Sequence, residues 1–321
     1  MHSFKELSQL FATHFQQKHF PEQPNNLYEP CTYFLQIGGK RIRPALCLLG
    51  NELFAEIKQD AYQVATAVEL FHNFTLIHDD MMDAASLRRG MQTVHTKYNS
   101  NIALLSGDVM LIKAYEYIAK INTEYLAKTL SLFNKTAAEV CEGQQLDMDF
   151  EQQQNVSLDD YIKMIGLKTS VLLAAALQMG AIIGGASEGN CKHIYQFGLN
   201  LGIAFQIQDD YLDAFGNPEK FGKEVGGDIK QNKKTFLFLH TLEVANDEQK
   251  KQIEILIETN PANKVEQMLS IFKDCNVDAW ANELKEKYYQ LAMKNLEDIA
   301  VTETRKKPLM ELANFLIERE N

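Results

Sequence analysis

Apolar residues recur at helical spacing along most of the chain. The clearest stripe comprises Ile194, Phe197, Leu201 and Phe205. A similar stripe runs from Val64 to Thr75, and spacings of three and four residues are typical of a helix buried on one face. Strand hairpins instead alternate apolar and polar residues beside Asn-Gly or Asp-Gly turns, and no stretch does so cleanly. The pattern therefore predicts an all-α protein.

Prolines and glycines indicate where the helices end. The chain has seven prolines, and none lies between Pro44 and Pro218. A proline inside a helix costs about 3 kcal/mol, so this gap favours a run of long helices. Breaks are predicted at residues 21–30, 88–100 and 215–234, the last being rich in glycine. Because no linker or low-complexity tract divides the sequence, we expect residues 1–321 to form one domain, a bundle of roughly ten or more helices.

Composition narrows the possible partners. The chain has 321 residues, of which 45% are hydrophobic and 23% charged, and its net charge is −11. Nucleic-acid phosphates require a basic surface, so this charge argues against a nucleic-acid partner. The longest nearly apolar stretch, residues 171–186, is shorter than the ~20 residues of a membrane span. With five cysteines and no CxxC pair, the sequence predicts reduced thiols and a cytoplasmic protein without a membrane span.

Two segments 130 residues apart share the pattern DDxxD. One is HDDMMD at residues 78–83, and the other is QDDYLD at residues 208–213. On a helix the first and last aspartates of each segment lie on one face, where like charges are unfavourable unless a cation lies between them. Carboxylate oxygens without nearby cysteine favour Mg²⁺. A single such segment is equally well a solvated helix end, but two copies that each close an apolar helix favour a metal site.

Basic residues accompany both acidic segments. They lie in GGKRIRP at residues 38–44, LRRG at 87–90, KTS at 168–170 and the glycine-rich segment at 215–234. Each cation alone is typical of a solvated surface. Together they supply two kinds of diphosphate contact, one bridged by metal and one made directly by lysine and arginine.

These blocks resemble the trans-isoprenyl (polyprenyl) diphosphate synthase family. The matching blocks are GGKRIRP, VELFHNFTLIHDDMMD, LRRG, CEGQQLD, KTS, GIAFQIQDDYLD and FGKEVGGDIKQNKKT, in the family's order. The resemblance implies the isoprenoid synthase fold, in which helices surround a central apolar cavity, and a homodimer. It also implies head-to-tail condensation of isopentenyl diphosphate with an allylic diphosphate (dimethylallyl, geranyl or farnesyl). The allylic diphosphate ionises, the alkene attacks the cation, and a proton is lost.

The resemblance also assigns roles to individual residues. The ligands of up to three Mg²⁺ would be Asp79, Asp80, Asp83, Asp209 and Asp213. The allylic diphosphate would contact Arg88, Lys168, Lys223 and Lys233. Isopentenyl diphosphate would contact Lys40, Arg43, Arg89, His72 and Phe205. Thr169, Gln144 and Gln206 would turn oxygens towards the cation, so that they act with Lys168 in catalysis.

Aromatic residues before the first DDxxD bear on product length. Phe74 lies five residues before Asp79, about 7.5 Å along a helix, and the next residue, Thr75, is small. In the family that the sequence resembles, a large aromatic near this depth limits the product, and a single one is typical of geranylgeranyl (C20) producers. Phe71, one turn deeper, would be a second barrier. We therefore predict a C20 product, with farnesyl (C15) or longer products as alternatives, unless Phe74 faces a neighbouring helix instead.

Other functions use some of the same residues. A class I terpene cyclase has one DDxxD but a different second metal motif and no need for GGKRIRP. A non-catalytic subunit of a heteromeric synthase usually lacks metal-binding aspartates, whereas all six remain here. A phosphohydrolase of the HD type would use His78 and Asp79 but needs further histidine ligands. The sequence favours the synthase over all three.

Overall fold

Nearly all regular structure in residues 1–153, 155–216 and 226–318, which this computed structural model describes, is helical. The first helices are α1 (Phe4–His14), α2 (Asn25–Gln36), α3 (Ile42–Glu52), α4 (Gln59–Met82), α5 (Val94–Lys97), α6 (Ser100–Ile118), α7 (Thr123–Gln152), α8 (Leu158–Ile165), α9 (Val171–Gly184) and α10 (Glu188–Phe215). They are followed by α11 (Gly227–Lys230), α12 (Phe236–Val244), α13 (Asp247–Thr259), α14 (Lys264–Asp274), α15 (Val277–Glu297) and α16 (Glu303–Glu318). The all-α prediction is confirmed.

The longest helices occupy the proline-free part of the chain. Helix α7 has 30 residues, α10 has 28 and α4 has 24. Each of them carries one of the sequence blocks near its carboxyl end. The proline-free part therefore holds the longest helices, although the short α5 and α8 lie there too.

Contacts divide the chain into two compact units. The first comprises Met1–Asn134, Ala175–Lys192 and Val301–Pro308. Its core includes the fully buried side chains of Phe11, Leu46 and Phe71, and α4 packs mainly on α6 and α3. Burying such apolar side chains stabilises a unit by about 1.5–3 kcal/mol each.

The second unit comprises Lys135–Ala174, His193–Ala300 and Leu309–Asn321. Its core gathers apolar side chains from several helices, among them Ile207 of α10, Phe236 of α12 and Phe272 of α14. Tyr161 of α8 belongs to the same core. A buried hydroxyl needs a hydrogen-bond partner, and that of Tyr161 lies in the second DDxxD segment, as described below.

Residues 158–184 form one continuous apolar helix. It consists of α8, a π-helical turn at Gly166–Ser170, and α9. At 27 residues, it is long and apolar enough to cross a membrane, contrary to the expectation from residues 171–186 alone, because the helix continues through the KTS block. However, 72% of its most apolar window is buried inside the protein.

Candidate active site

The first DDxxD segment ends helix α4. Asp79 and Asp80 lie in the last turn, and Asp83 follows it as the C-cap residue. The guanidinium of Arg88 donates to both oxygens of Asp80, at 2.8 and 3.0 Å, and to Asp79 at 3.1 Å. Burial raises the pKa of Asp80, and the nearby Arg88 partly offsets that rise. The structure thus brings together two predicted metal ligands and one predicted diphosphate contact.

A two-residue hairpin presents the arginines of LRRG. Strands β1 (Leu87–Arg88) and β2 (Met91–Gln92) pair antiparallel. The two turn residues, Arg89 and Gly90, have φ of 52° and 77°. Positive φ at both positions is typical of a type I′ turn, which joins strands of natural twist. The sequence pattern of Asn-Gly and Asp-Gly turns missed this hairpin, because Arg89 occupies the first turn position.

Arg89 lies close to two glycines of the GGKRIRP loop. The Arg89 guanidinium donates to the carbonyl oxygen of Gly38. A Cβ at position 39 would lie 2.9 Å from Nη1 of Arg89, closer than real contacts allow. Because the guanidinium ends a flexible side chain, it can shift to admit that atom, so the contact alone does not require glycine. The hydrogen bond to Gly38 joins the GGKRIRP loop to the hairpin. Lys40, the next residue of the loop, is exposed.

Arg43 and His72 form a second basic pair. Nη1 of Arg43 lies 3.0 Å from Nε2 of His72. Because arginine only donates, Nε2 accepts, and the neutral imidazole carries its proton on Nδ1. Burial and the neighbouring arginines hold the pKa of His72 well below its usual value, and burial lowers the pKa of Arg43 to about 10. This pair and Arg89 form a cationic cluster whose hydrogen-bond partners differ from those of Asp79 and Asp80. The Glu69 carboxylate of α4 lies close enough for its charge to act on both arginines.

Arg41 and Glu69 are two residues that the sequence analysis did not select. Arg41 is the N-cap of α3, with φ of 51°, and its guanidinium pairs with the buried Glu69 of α4. It also donates to the carbonyl oxygen of Leu35 at 3.3 Å. The pair anchors the GGKRIRP loop to α4. Only the position of Arg41 between two predicted contacts could have suggested this role.

The second DDxxD segment lies near the end of α10, in the second unit. Asp210 is 8% exposed, and its carboxylate accepts from the Tyr161 hydroxyl and from Nε2 of Gln206 at 2.9 Å. Burial and the nearby Asp228 raise the pKa of Asp210 to about 7. Asp209 and Asp213, the two predicted ligands, are less deeply buried. Tyr161 was not selected from the sequence, where an isolated tyrosine carries no signal.

Backbone amides contact the last aspartate of this segment. The N–H of Asp228 donates to Oδ2 of Asp213 at 3.0 Å. Burial raises the pKa of Asp213, and hydrogen bonds from the Asp228 and Gly227 amides oppose that rise. Lys233, a predicted diphosphate contact, lies 3.4 Å from the Asp228 carboxylate. Lys223 lies outside the described residues. Asp228 was missed, although it stands in the GGDIK part of a motif.

Lys168 and Thr169 lie in the π-helical turn rather than in a regular α-helix. The ammonium of Lys168 pairs with the Asp147 carboxylate at 2.5 Å. A Cβ at Gly143 would lie 2.2 Å from the Lys168 backbone nitrogen, so glycine lets α7 approach the turn. Gln144 follows directly and is half-buried. The turn thus brings Lys168 and Thr169 close to the CEGQQLD block, and π turns are frequent at functional sites.

The aromatic residues of α4 contact one another. Phe71 is 1% exposed, and its ring centroid lies 5.6 Å from that of Phe74 and 5.3 Å from that of Phe133. Phe74 is only partly buried, and Thr75 donates to the His72 carbonyl oxygen at 2.8 Å. Phe205, on α10 in the second unit, is also partly buried. Phe71 is therefore a core residue whose ring packs against that of Phe74.

The donor chemistry suits a hard divalent cation. Asp79, Asp80 and Asp83 offer carboxylate oxygens, which Mg²⁺ prefers. Within the described ranges, no group of three or more His, Cys, Asp or Glu side chains is arranged to hold a metal ion. In this conformation, Arg88 supplies the positive charge at Asp79 and Asp80.

Comparison with known proteins identifies the family. A sequence profile described as polyprenyl synthetase matches residues 24–275. The chain belongs to the polyprenyl synthetase family. It is therefore a prenyltransferase, and the resemblance drawn from its motifs is confirmed.

Relatives match over nearly the whole chain. It is 37% identical to a geranylgeranyl diphosphate synthase of Sulfolobus acidocaldarius, over 91% of both chains. It is 33% identical to a geranylfarnesyl diphosphate synthase of Natronomonas pharaonis, covering 93% of this chain and 91% of the other. Among solved structures, a geranylgeranyl pyrophosphate synthase is 43% identical, with a TM-score of 0.94 over the full length of both chains. The fold of this family's solved members is thus the fold of this chain.

Proposed function

We propose that the protein condenses isopentenyl diphosphate head-to-tail with allylic diphosphates to give all-trans geranylgeranyl diphosphate (C20). One observation carries this proposal. The first unit has a carboxylate cluster at Asp79 and Asp80, which Arg88 contacts, and a cationic cluster at Arg43, His72 and Arg89, which has different hydrogen-bond partners. A condensing enzyme needs two different diphosphate contacts, because one diphosphate leaves and the other stays attached.

The carboxylate clusters serve the diphosphate that leaves. Asp79, Asp80 and Asp83, with Asp209 and Asp213, would hold up to three Mg²⁺. When bound, Mg²⁺ neutralises the charge that develops on the leaving diphosphate. Arg88, Lys168 and Lys233 would contact the same diphosphate directly, as would Lys223, which lies outside the described residues.

The cationic cluster serves isopentenyl diphosphate. Lys40, Arg43 and Arg89 supply positive charge to a group that remains attached, and charge-assisted contacts of this kind are strong. The neutral His72 can donate a hydrogen bond from Nδ1 to this diphosphate, but it adds no positive charge. Phe205 packs against the isopentenyl chain.

Neutral oxygens stabilise the carbocation. Thr169, Gln144 and Gln206 present the partial negative charge of hydroxyl or amide oxygens, which stabilises the cation. Fixed dipoles aimed at developing charge usually contribute more to catalysis than any other single effect. The hydrogen bond from Gln206 to Asp210 supports this role, because it commits the amide nitrogen and leaves the oxygen free to face away.

Phe74 limits the product, with Thr75 beside it and Phe71 one turn deeper. The contact between Phe71 and Phe133 supports a rigid second barrier. Relatives named as geranylgeranyl diphosphate synthases at 35–38% identity also support C20, whereas those named as geranylfarnesyl synthases favour a longer chain. We expect Phe74→Ala to add at least one isoprene unit. An unchanged product from this variant would mean that the limit lies elsewhere.

Sizing of the product tests the proposal. Purified protein, Mg²⁺ and labelled isopentenyl diphosphate are incubated separately with dimethylallyl, geranyl and farnesyl diphosphate, and the dephosphorylated products are sized. A dominant C20 alcohol is expected from all three primers. A dominant C15 alcohol, or a series of products of C30 and longer, would support the condensation reaction but contradict the role of Phe74 in limiting product length. No elongation by the folded protein would favour a non-catalytic subunit instead.

We further propose that the enzyme is a cytoplasmic homodimer. Helix α6 exposes about half of three large side chains, Leu104, Leu105 and Ile112, and this apolar face suits a second copy. Burial of the apolar helix at residues 158–184 supports a protein outside the membrane. Light scattering after size-exclusion chromatography tests the dimer, and Leu105→Glu is expected to shift it to the monomer mass.

A further inference from the structure

Tyr161 makes a buried contact with the second DDxxD segment. The residue lies on α8, is 3% exposed, and donates its hydroxyl to Oδ2 of Asp210. The amide of Gln206 donates to the other oxygen, Oδ1, at 2.9 Å. Both oxygens of the middle aspartate are therefore engaged by neutral donors of the protein.

This arrangement gives Asp210 a different role from its neighbours. Within this segment, the side chains of Asp209 and Asp213 are less buried than that of Asp210. Asp210 instead accepts from Tyr161 of α8 and from Gln206, one turn earlier in its own helix. It therefore acts as the link between Tyr161 and Gln206.

The link fixes the orientation of Gln206. An amide has one donor end and one acceptor end, and here the nitrogen is committed to Asp210. The amide oxygen must then point the other way. A fixed oxygen stabilises a cation better than one that must reorient during the reaction.

The link also reaches the π-helical turn. Helix α8 ends at Ile165, and the turn that carries Lys168 and Thr169 begins at Gly166. Because α8 runs into the turn without a break, the Tyr161 hydrogen bond ties that turn to α10. Tyr161 and Asp210 are 49 residues apart, so this contact joins distant parts of the chain.

We propose that Tyr161 is a positioning residue that acts through Asp210 to orient Gln206 and to hold the second acidic segment against the Lys168 turn. The inference rests on the proposed function, since the role of Gln206 is part of it. Because Tyr161 is buried and donates its hydroxyl to Asp210, we expect it to contact neither substrate. Its effect should therefore fall on the step in which the allylic diphosphate ionises, and not on binding of isopentenyl diphosphate.

Tyr161→Phe tests the proposal, with Tyr117→Phe as the matched control. Tyr117 is also buried, at 5% exposed, and its hydroxyl lies 2.8 Å from Nδ1 of His19, in the first unit. We expect Tyr161→Phe to lower kcat by about 10- to 100-fold, the range that corresponds to losing a hydrogen bond to a charged group. The KM for isopentenyl diphosphate should change less than twofold, and Tyr117→Phe should keep normal kinetics. Equal kinetics for both variants would overturn the proposal.

Combination with Asp210→Ala tests the route. If Tyr161 acts through Asp210, the double variant should turn over no more slowly than Asp210→Ala alone, within about twofold. Multiplied losses would overturn the proposed link. If Tyr161→Phe does not fold, Asp210→Ala tests the proposal instead. The kcat of Asp210→Ala must then fall by at least tenfold, while its KM for isopentenyl diphosphate stays unchanged.

A second readout needs no activity. In urea unfolding without metal, Asp210→Ala leaves the Tyr161 hydroxyl buried without its acceptor, so the double variant should lose less than the sum of the single losses. Additive shifts of the unfolding midpoint would overturn the link. If the stability losses are not additive but the protein elongates no primer, the proposed function is refuted, whereas the contact between Tyr161 and Asp210 is supported.

Discussion

Asp80 and Asp210 occupy the same place in two segments of the same DDxxD spacing, and both side chains are buried. Arg88, a cation, contacts Asp80, whereas Tyr161 and Gln206, two neutral donors, contact Asp210. Burial raises the pKa of both carboxyls, and that of Asp210 reaches about 7. The same motif therefore has different electrostatics in the two units.

This difference suggests different uses. A carboxylate beside arginine stays ionised and can exchange its cation for a metal ion. A carboxylate held by neutral donors has no cation to exchange for a metal ion, so it is better suited to positioning. Experiments on the two segments in parallel should separate these uses.

The largest effect is expected from removing the outer aspartates. Asp79→Ala and Asp209→Ala each delete a proposed metal ligand that is not a core group. Loss of several kcal/mol of transition-state stabilisation corresponds to about 10³-fold or more in turnover. Steady-state assays measure the loss, and circular dichroism checks that the fold is retained.

The exposed Asp298 provides the control, since Asp298→Ala should keep normal turnover. Near-normal activity of a folded Asp79→Ala protein would contradict the metal assignment in the first unit. The same result for Asp209→Ala would limit the metal site to the first segment.

The pH dependence of stability should depend strongly on Asp210. Unfolded aspartate has a pKa of about 3.9, whereas that of folded Asp210 is about 7. Between these values the folded protein holds a proton that the unfolded chain has released, so the free energy of unfolding falls as pH rises from about 4 to 7. Asp210→Asn should remove this dependence.

Urea unfolding in EDTA measures this effect. The stability difference between Asp210→Asn and the wild type should change by about 2–4 kcal/mol across that range, in favour of the variant at higher pH. Asp80→Asn should change the pH dependence less, because Arg88 opposes the raised pKa. If the stability of Asp210→Asn and of Asp80→Asn depends on pH in the same way, the proposed electrostatic difference between Asp210 and Asp80 is wrong.

Loss of Arg88 should destabilise the first segment. The Asp80 side chain is 2% exposed, and Arg88→Met leaves its carboxylate without the charged donor. Hydrogen bonds to charged groups contribute about 1.5–3 kcal/mol, so a loss of that size is expected at pH 7. Part of the loss should be recovered at lower pH, where Asp80 is protonated.

Arg88→Lys is the conservative comparison. It restores the charge but not the planar fork that reaches Asp79 and Asp80 together, so an intermediate stability is expected. Unfolding in urea at pH 5 and 7 measures both variants. A pH-independent loss would mean that Arg88 acts by packing rather than by charge.

Features with regular spacing could be predicted from the sequence. Helical stripes such as Ile194 to Phe205 and the long gap between prolines predicted the all-α fold, and the motif blocks predicted the family. The division into two units and the hairpin at Arg89 could not be read in this way. Such features depend on contacts between distant residues and on φ values that leave no periodic signal.

The candidate site shows the same limit. Residues within repeated or charged motifs, such as Asp79 and Arg43, were selected because their side chains suggest chemistry. Tyr161 and Glu69 were missed, because a tyrosine or glutamate in a helix has many ordinary roles. Their importance follows from the buried partner, which only the fold reveals.

The smallest effect is expected from the residue that precedes each DDxxD. His78 packs against Phe74, and its Nε2 lies 3.2 Å from the carbonyl oxygen of Leu104 on α6. Its counterpart in the second segment, Gln208, accepts from Lys285 of α15 at 2.8 Å. Both residues attach the start of the acidic segment to a neighbouring helix of the same unit.

His78→Ala and Gln208→Ala should each cost about 1 kcal/mol of unfolding free energy, the net contribution of a typical hydrogen bond. The loss should be larger for His78, because its ring also lies beside Phe74 and against Gly107. Chemical unfolding of both variants at pH 7 measures the difference. An equal loss would mean that only the hydrogen bond matters at this position. A larger loss for Gln208→Ala would mean that the second segment depends more on its attachment than the first, which has Arg88 as an additional support.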